Sequence, residues 1–229
     1  MSIERKQIVK PYLLLCEGRD AEGFLINYLN SNALKQDLMF SNEIQVFDFG
    51  GNENLTNFLM NLKNMDKFDR VTSIAVIRDA EKDYDKACRE IIRSLTKCGF
   101  ESPETNGTWS RDDNGLKVGF MLFPLNYDAG TLEDLCLQIL SEDRGNSVIS
   151  SIDEFLDTME SFYGRSYRRK HKNKLHTYLS SSDKYVAMPL GMASSAGAFD
   201  WSNDKLKNLK SFLKEGFVVT QNKPAYSDI

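Results

Sequence analysis

Histidine and cysteine are scarce in this 229-residue chain, which has only His171 and His176, and Cys16, Cys88, Cys98 and Cys136. Two histidines poorly supply zinc hydrolase chemistry or a His-based triad. The cysteines lie far apart with no Cys-x-x-Cys pair, so the usual spacing of a structural zinc site is missing. In a chain this long they do not suggest a disulfide scaffold. No apolar run reaches the roughly 18 to 20 residues of a membrane span. Met1-Ser2-Ile3-Glu4-Arg5-Lys6 has charge but no following apolar region and small-residue cleavage site, so no signal peptide is read there. A positive excess is lacking too. With 29 Lys and Arg against 33 Asp and Glu, the net charge of −4 argues against a surface coated with basic residues for non-specific nucleic-acid binding. There is no Gly-x-Gly-x-x-Gly and no Walker A run, so nucleotide binding of those kinds is not supported. The expectation is a reduced, cytoplasmic, soluble protein with no membrane partner.

What is present is ordinary globular usage, 41% apolar and 27% charged, which fits neither disorder nor a coiled coil. Strand and helix signals alternate through the first half. Tyr12-Leu13-Leu14-Leu15-Cys16 is a continuous apolar run stopped by Glu17-Gly18, the look of a buried strand. Phe24, Leu25, Tyr28 and Leu29 then recur at helical spacing. Ile44 to Phe49 alternates with period two and stops at Gly50-Gly51, a tight turn or a close approach for a phosphate. Leu55, Phe58, Leu59 and Leu62 mark a second helix, with Asn52 or Asn54 as its cap. Val71 to Ile77 is a further apolar strand ending in Arg78-Asp79-Ala80-Glu81, and a helix lined by Ala87, Ile91, Ile92 and Leu95 closes at Gly99. Residues 102–115 are turn-rich and read as a loop or short hairpin before a fourth strand, Lys117 to Pro124. This alternation predicts an α/β fold whose sheet, of about four mainly parallel strands, is flanked by helices.

From Gly130 the pattern turns mostly helical, over Leu132 to Leu140, Ile152 to Tyr163, Arg168 to Leu179 and about Asp204 to Leu213. The expected organisation is an α/β domain over 1–126 and a mostly helical extension over 127–229 packed on it. The tail after Phe217 is expected to fray or dock weakly. Charge is uneven here. Tyr127 to Ser161 holds nine acids and one base, whereas Arg165 to Lys174 holds six Lys or Arg and no acid. That basic run is either a solvated helix face or a phosphate-contacting patch made of Arg165, Arg168, Arg169, Lys170 and Lys172. Tyr163 and Tyr167 flank it, as core residues or as stacking surfaces for unpaired bases.

Ligands of parallel α/β sheets sit beyond the carboxyl ends of the strands. Two such ends carry acids, Glu17 and the pair Asp79 and Glu81. Side chains two apart on an extended chain point the same way, and adjacent carboxylates repel unless a cation or proton lies between them. Magnesium takes a few carboxylates and fills its other positions with water or phosphate oxygens. Asp-x-Glu after a strand also arises as an ordinary helix N-terminus.

Together, Leu13-Leu14-Leu15-Cys16-Glu17-Gly18-Arg19-Asp20 and Ile74-Ala75-Val76-Ile77-Arg78-Asp79-Ala80-Glu81 resemble the Toprim domain of topoisomerases, bacterial primases, small RNA-maturing nucleases and OLD nucleases. The resemblance covers roughly residues 8–125. Gly130-Thr131-Leu132-Glu133-Asp134-Leu135 and Lys174-Leu175-His176-Thr177-Tyr178-Leu179 are similar to later segments of small Toprim proteins from phage-defence and mobile-element contexts. It implies a Rossmann-like fold and a metal-dependent nuclease holding Mg2+ or Mn2+ on Glu17, Asp79 and Glu81. Glu17 would complete the metal shell or serve as general acid or base. By the same resemblance Glu133 and Asp134 would approach the metal pocket, or else only complement the start of a helix. Independently of it, Lys174 and Lys184 are either cations that stabilise charge on a phosphorane or ordinary exposed lysines. The partners implied are RNA or DNA and an ATPase. Two departures stand out: Glu81 replaces the second Asp of the family's Asp-x-Asp, and Ala21 occupies the position where two-metal members carry a further acid. The alternative is a catalytically degenerate Toprim-fold interaction module working with a partner ATPase.

Overall fold

Apolar runs with no polar alternation need cover on both faces, and the centre of a parallel sheet supplies it. The computed structural model describes residues 7–35, 41–142 and 146–217. In it, β1 (Tyr12–Cys16) lies between β2 (Ile44–Asp48) and β3 (Ser73–Asp79), and β5 (Lys117–Phe123) pairs with the other side of β3, all four parallel. A fifth strand, β4 (Trp109–Arg111), runs antiparallel along β5, so the order is β2-β1-β3-β5-β4. The turn-rich stretch is thus a short hairpin. Asp112 makes its turn by accepting the N–H groups of Asn114 and Leu116 on one carboxylate oxygen.

Helices α1 (Arg19–Asn30), α2 (Asn32–Lys35), α3 (Leu55–Leu62) and α4 (Tyr84–Lys97) connect the strands. Alternate β1 side chains feed two cores. Leu13 and Leu15 pack with Leu59 of α3 and Ile91 of α4. On the other face, Leu14 and Cys16 join Phe24 and Tyr28 of α1. The predicted asparagine cap of α3 is not formed: a 3₁₀ turn, Asn52–Asn54, leads into the helix, and neither side chain caps it. Asp83 does cap α4, accepting the N–H of Lys86 at 2.9 Å, and Gly99, at φ +67°, closes it as read.

The helical extension consists of α5 (Leu132–Leu140), α6 (Asn146–Tyr163), α7 (Lys170–Ser180), α8 (Leu190–Ser195) and α9 (Lys207–Gly216). Leu135, Leu175, Ala193 and Leu209 belong to the same apolar cluster as Leu14 and Ile77, so one core runs through both halves of the chain. Phe24 sits within it, its ring 5.1 Å from Trp201, 5.8 Å from Phe199 and 6.3 Å from Phe123. Gly23 lets α8 lie directly on α1, since a Cβ there would come within 2.8 Å of the Cα of Gly191. The expected tail after Phe217 lies outside the described residues. Among those residues, no helix is long and apolar enough to cross a membrane.

Candidate functional site

The register of the sheet places the two strand-end acids side by side. Cys16 of β1 lies opposite Ile77 of β3, so Glu17 and Asp79 leave neighbouring strands at the same carboxyl edge. Gly18, at φ +87°, then turns the chain into α1. Its N–H and that of Gly50 both donate to Asp48 Oδ1 at 2.7 Å, tying together the turns after β1 and β2. Asp48 also ends a strand, but the sequence reading did not single it out, although the Gly50-Gly51 turn just beyond it was the signal that could have done so.

Asp79 Oδ1 accepts the N–H of Leu132 at 2.8 Å, at the start of α5. An amide at a helix N-terminus favours a carboxylate. Burial nevertheless dominates and, with Glu133, Glu17 and Glu81 adding their charges, pushes Asp79 up to about 8. Burial likewise raises Glu17 to about 7, although the Arg78 guanidinium and the N–H of Asn52 pull it back. Arg78 is 4% exposed, lies 3.9 Å from Glu17 and pairs with Glu90 at 3.2 Å. An arginine inside an apolar strand was visible in the sequence, but its partners belong to α4 and to the turn after β1.

Glu81 corrects a sequence expectation. The strand stops at Asp79, and Glu81 adopts φ +57° while exchanging two backbone hydrogen bonds with Gly130, at 2.8 and 2.7 Å. The extended alternation that would aim residues 79 and 81 alike does not hold across this left-handed turn. A left-handed backbone at a residue with a Cβ costs roughly 1–2 kcal/mol, sustained here by the bridge to Gly130.

The basic run divides. Arg168, Arg169, His171 and Lys172 line a cleft of about 770 Å³ together with Glu17, Asp79 and Glu81. Arg19 and Lys82 also line it, as do Asp48, Asp134 and the turns at Gly50-Gly51 and Gly130-Thr131. Lys170 instead pairs with Asp157 and Glu160 of α6, and Lys174 with Asp153. Residues 170 and 174 are one helical step apart, so both face α6. The predicted role of Lys174 in phosphorane stabilisation therefore has no support from placement, because it lies outside the cleft lining. Arg165 also lies outside that lining. Glu133 is buried behind the cleft, 2.9 Å from Lys172 Nζ. Its burial would raise the carboxyl, but the hydrogen bond and charge of Lys172 prevail and lower it. Its neighbour Asp134 closes a capping box with Thr131.

Carboxylate oxygens, magnesium's preferred donors, are thus gathered at one mouth. Glu17 Oε2 and Glu133 Oε2 are buried without a hydrogen-bond partner. Among the described residues, however, no three His, Cys, Asp or Glu side chains already stand close enough to hold a metal ion. The donors fit a cation in kind, carboxylate oxygens being what magnesium takes.

No curated protein and no solved structure matches this chain. The family described as "Protein of unknown function (DUF3226)" matches residues 11–218, crossing from β1 through the helical extension. The strand-end acids, the turns between them and the cationic start of α7 all fall inside that match, and the chain belongs to this family.

Proposed function

We propose that the protein is a Mg2+- or Mn2+-dependent phosphodiesterase acting on nucleic acid, built on a Toprim-like scaffold. The observation that carries this reading is the cleft itself, whose lining brings Glu17 and Asp79, on adjacent strand ends, together with Arg168, Arg169 and Lys172. Glu17, Asp79 and Glu81 would hold the ion. Bound there, it orients the scissile phosphate and screens its charge. Arg168 and Arg169 bind the substrate backbone, charge against charge. Where Glu17 does not complete the metal shell, its carboxyl, raised by burial to about 7, would serve instead as general acid or base at its buried Oε2. Single-metal chemistry agrees with Ala21, whose small apolar side chain supplies no further ligand.

A specific observation favours the second reading. Arg78 already stands beside Glu17 as an internal cation, and Lys172 neutralises Glu133, as expected of a catalytically degenerate module that engages a partner such as an ATPase. One experiment separates the two. Cleavage of tRNA, single-stranded DNA and duplex DNA is measured with magnesium and with manganese, beside Glu17→Gln, while calorimetry follows binding of the metal alone. Metal-dependent cutting that is lost in Glu17→Gln supports the phosphodiesterase. Absence of both metal binding and cutting leaves the interaction module.

A further inference from the structure

The carboxyl end of α6 carries aromatic rings that the fold does not use. Phe162 is 77% exposed and Tyr163 57%, with their rings edge to face at 5.2 Å, whereas Ile149, Ile152 and Leu156 of the same helix are buried. Immediately beyond, Gly164 turns the chain at φ +63°, and the Arg165 guanidinium lies 5.9 Å from the Tyr163 ring. Arg168 and Arg169 follow, and both line the cleft. Five residues span at most about 18 Å, so the rings and the cationic mouth lie within a few nucleotides of each other. Among the described residues, Arg165, Arg168 and Arg169 form no ion pair, unlike Lys170, Lys172 and Lys174. Their charge is left for an external anion.

We propose that Phe162 and Tyr163 form a stacking platform for the unpaired bases of a single-stranded nucleic acid, whose backbone follows Arg165, Arg168 and Arg169 into the cleft. The inference rests on the nucleic-acid reading above and narrows it to single strands or unpaired segments. Aromatic rings stack on any base, but only where the base is not already stacked and paired in a duplex. Arginines among the rings neutralise the phosphates that arrive with those bases, and Arg165 adds a cation at the ring itself. A purely apolar partner surface would have no use for three uncompensated arginines. Tyr167, which also flanks the basic run, is only half-exposed and donates its backbone N–H to Glu160, so it stays outside the platform.

Fluorescence anisotropy on the full chain tests this, with end-labelled oligothymidylate and oligouridylate of about 16 nucleotides and a duplex of equal length. In Phe162→Ala/Tyr163→Ala, affinity for the single strands is expected to fall about tenfold or more. Duplex affinity and the salt slope should stay at parental values, since no phosphate contact is lost. Phe162→Trp should keep parental affinity because it keeps a ring. A loss equal to that of the alanine pair overturns stacking. The two single strands differ in the 2′-hydroxyl and the thymine methyl, so a preference between them points to RNA or DNA as the source. If the parent binds single strands and the alanine pair binds them equally, the platform is overturned while the reading of the cleft stands. A parent that binds none of the three probes overturns both. A parent that sediments as a dimer, beside a monomeric alanine pair of unchanged oligonucleotide affinity, assigns the rings to a contact between copies and overturns the proposal.

Discussion

The two walls of the cleft are built by different means. The acidic wall hangs on strand ends, where parallel register puts Glu17 beside the end of β3 and burial holds Glu17 and Asp79 near neutrality. The basic wall comes from the basic run at the start of one helix, and half of that run's charge is spent elsewhere, with Lys170 and Lys174 turned to α6 and Lys172 bound to buried Glu133. A strand end aims its residue by hydrogen-bonded register. A helix distributes its residues around an axis, and the neighbouring elements decide which of them remain available.

The strongest way to break this comparison is at the acidic wall. Asp79→Asn keeps the side chain's shape and removes its charge, so metal-dependent turnover should fall about 100-fold or more. Nucleic-acid binding measured without divalent ions above about pH 8, where Asp79 is ionised, should hold or tighten, because a negative charge beside the phosphate has gone. Steady-state cleavage measured with anisotropy checks both, and parallel losses of binding and turnover would place Asp79 in substrate binding rather than catalysis.

At the junction of the walls, Lys172→Met leaves Glu133 buried without its cation. The lysine is 38% exposed, so solvent screening reduces the penalty to about 1–3 kcal/mol. In a domain of this size that lowers Tm by several degrees. Adding Glu133→Leu should restore most of the loss, since no unpaired charge then remains. Calorimetry of the single and double variants decides, and additive losses would show that the pair is not coupled.

Stability against pH sharpens the acidic side. Asp79 and Glu17 hold their protons more tightly in the folded state than the unfolded pKa of roughly 4. Between pH 4 and their folded values of about 8 and 7, the native state binds more protons, so their contribution to stability falls as pH rises. Asp79→Asn should therefore melt above the parent at pH 8 without divalent ions, with the gain disappearing toward pH 4. Saturating magnesium should raise the parent's Tm most at the alkaline end. Identical melting profiles for parent and variant across this range would remove the argument for a strained carboxylate site.

The smallest effects separate the two halves of the basic run. Arg168→Gln/Arg169→Gln should lower the log–log salt slope of nucleic-acid binding by about two units and leave Tm unchanged. Lys170→Gln/Lys174→Gln should lower Tm slightly and leave that slope intact, because those lysines bind α6. Salt titrations with both variants measure this directly, and equal slopes would make the run a uniform solvated face.

Much of the fold was legible from the chain. Strand and helix order follows from buried apolar runs such as Leu13 to Leu15 and from helical spacing such as Ala87, Ile91 and Leu95. The helix read over Leu132 to Leu140 has those bounds in the structure. The strand-end rule singled out Glu17 and Asp79. It passed over Asp48, whose strand is less apolar and whose role lies in the N–H groups it accepts from two turns. Short elements were harder. Helix α8 spans six residues, and its position depends on the close approach of Gly191 to Gly23, a contact between segments far apart in the chain.

Local order determined which residues end each strand, because an apolar run and the polar turn behind it are properties of neighbouring residues. That was enough to put acids at the mouth of an α/β sheet. Only the tertiary structure decided how those residues are used. The bridge to Gly130 sets the left-handed turn at Glu81, α6 draws in Lys170 and Lys174, and Glu133 binds Lys172. Each depends on a partner at least ten residues away, and an electrostatic or backbone contact over that separation leaves no periodic trace in the chain that makes it.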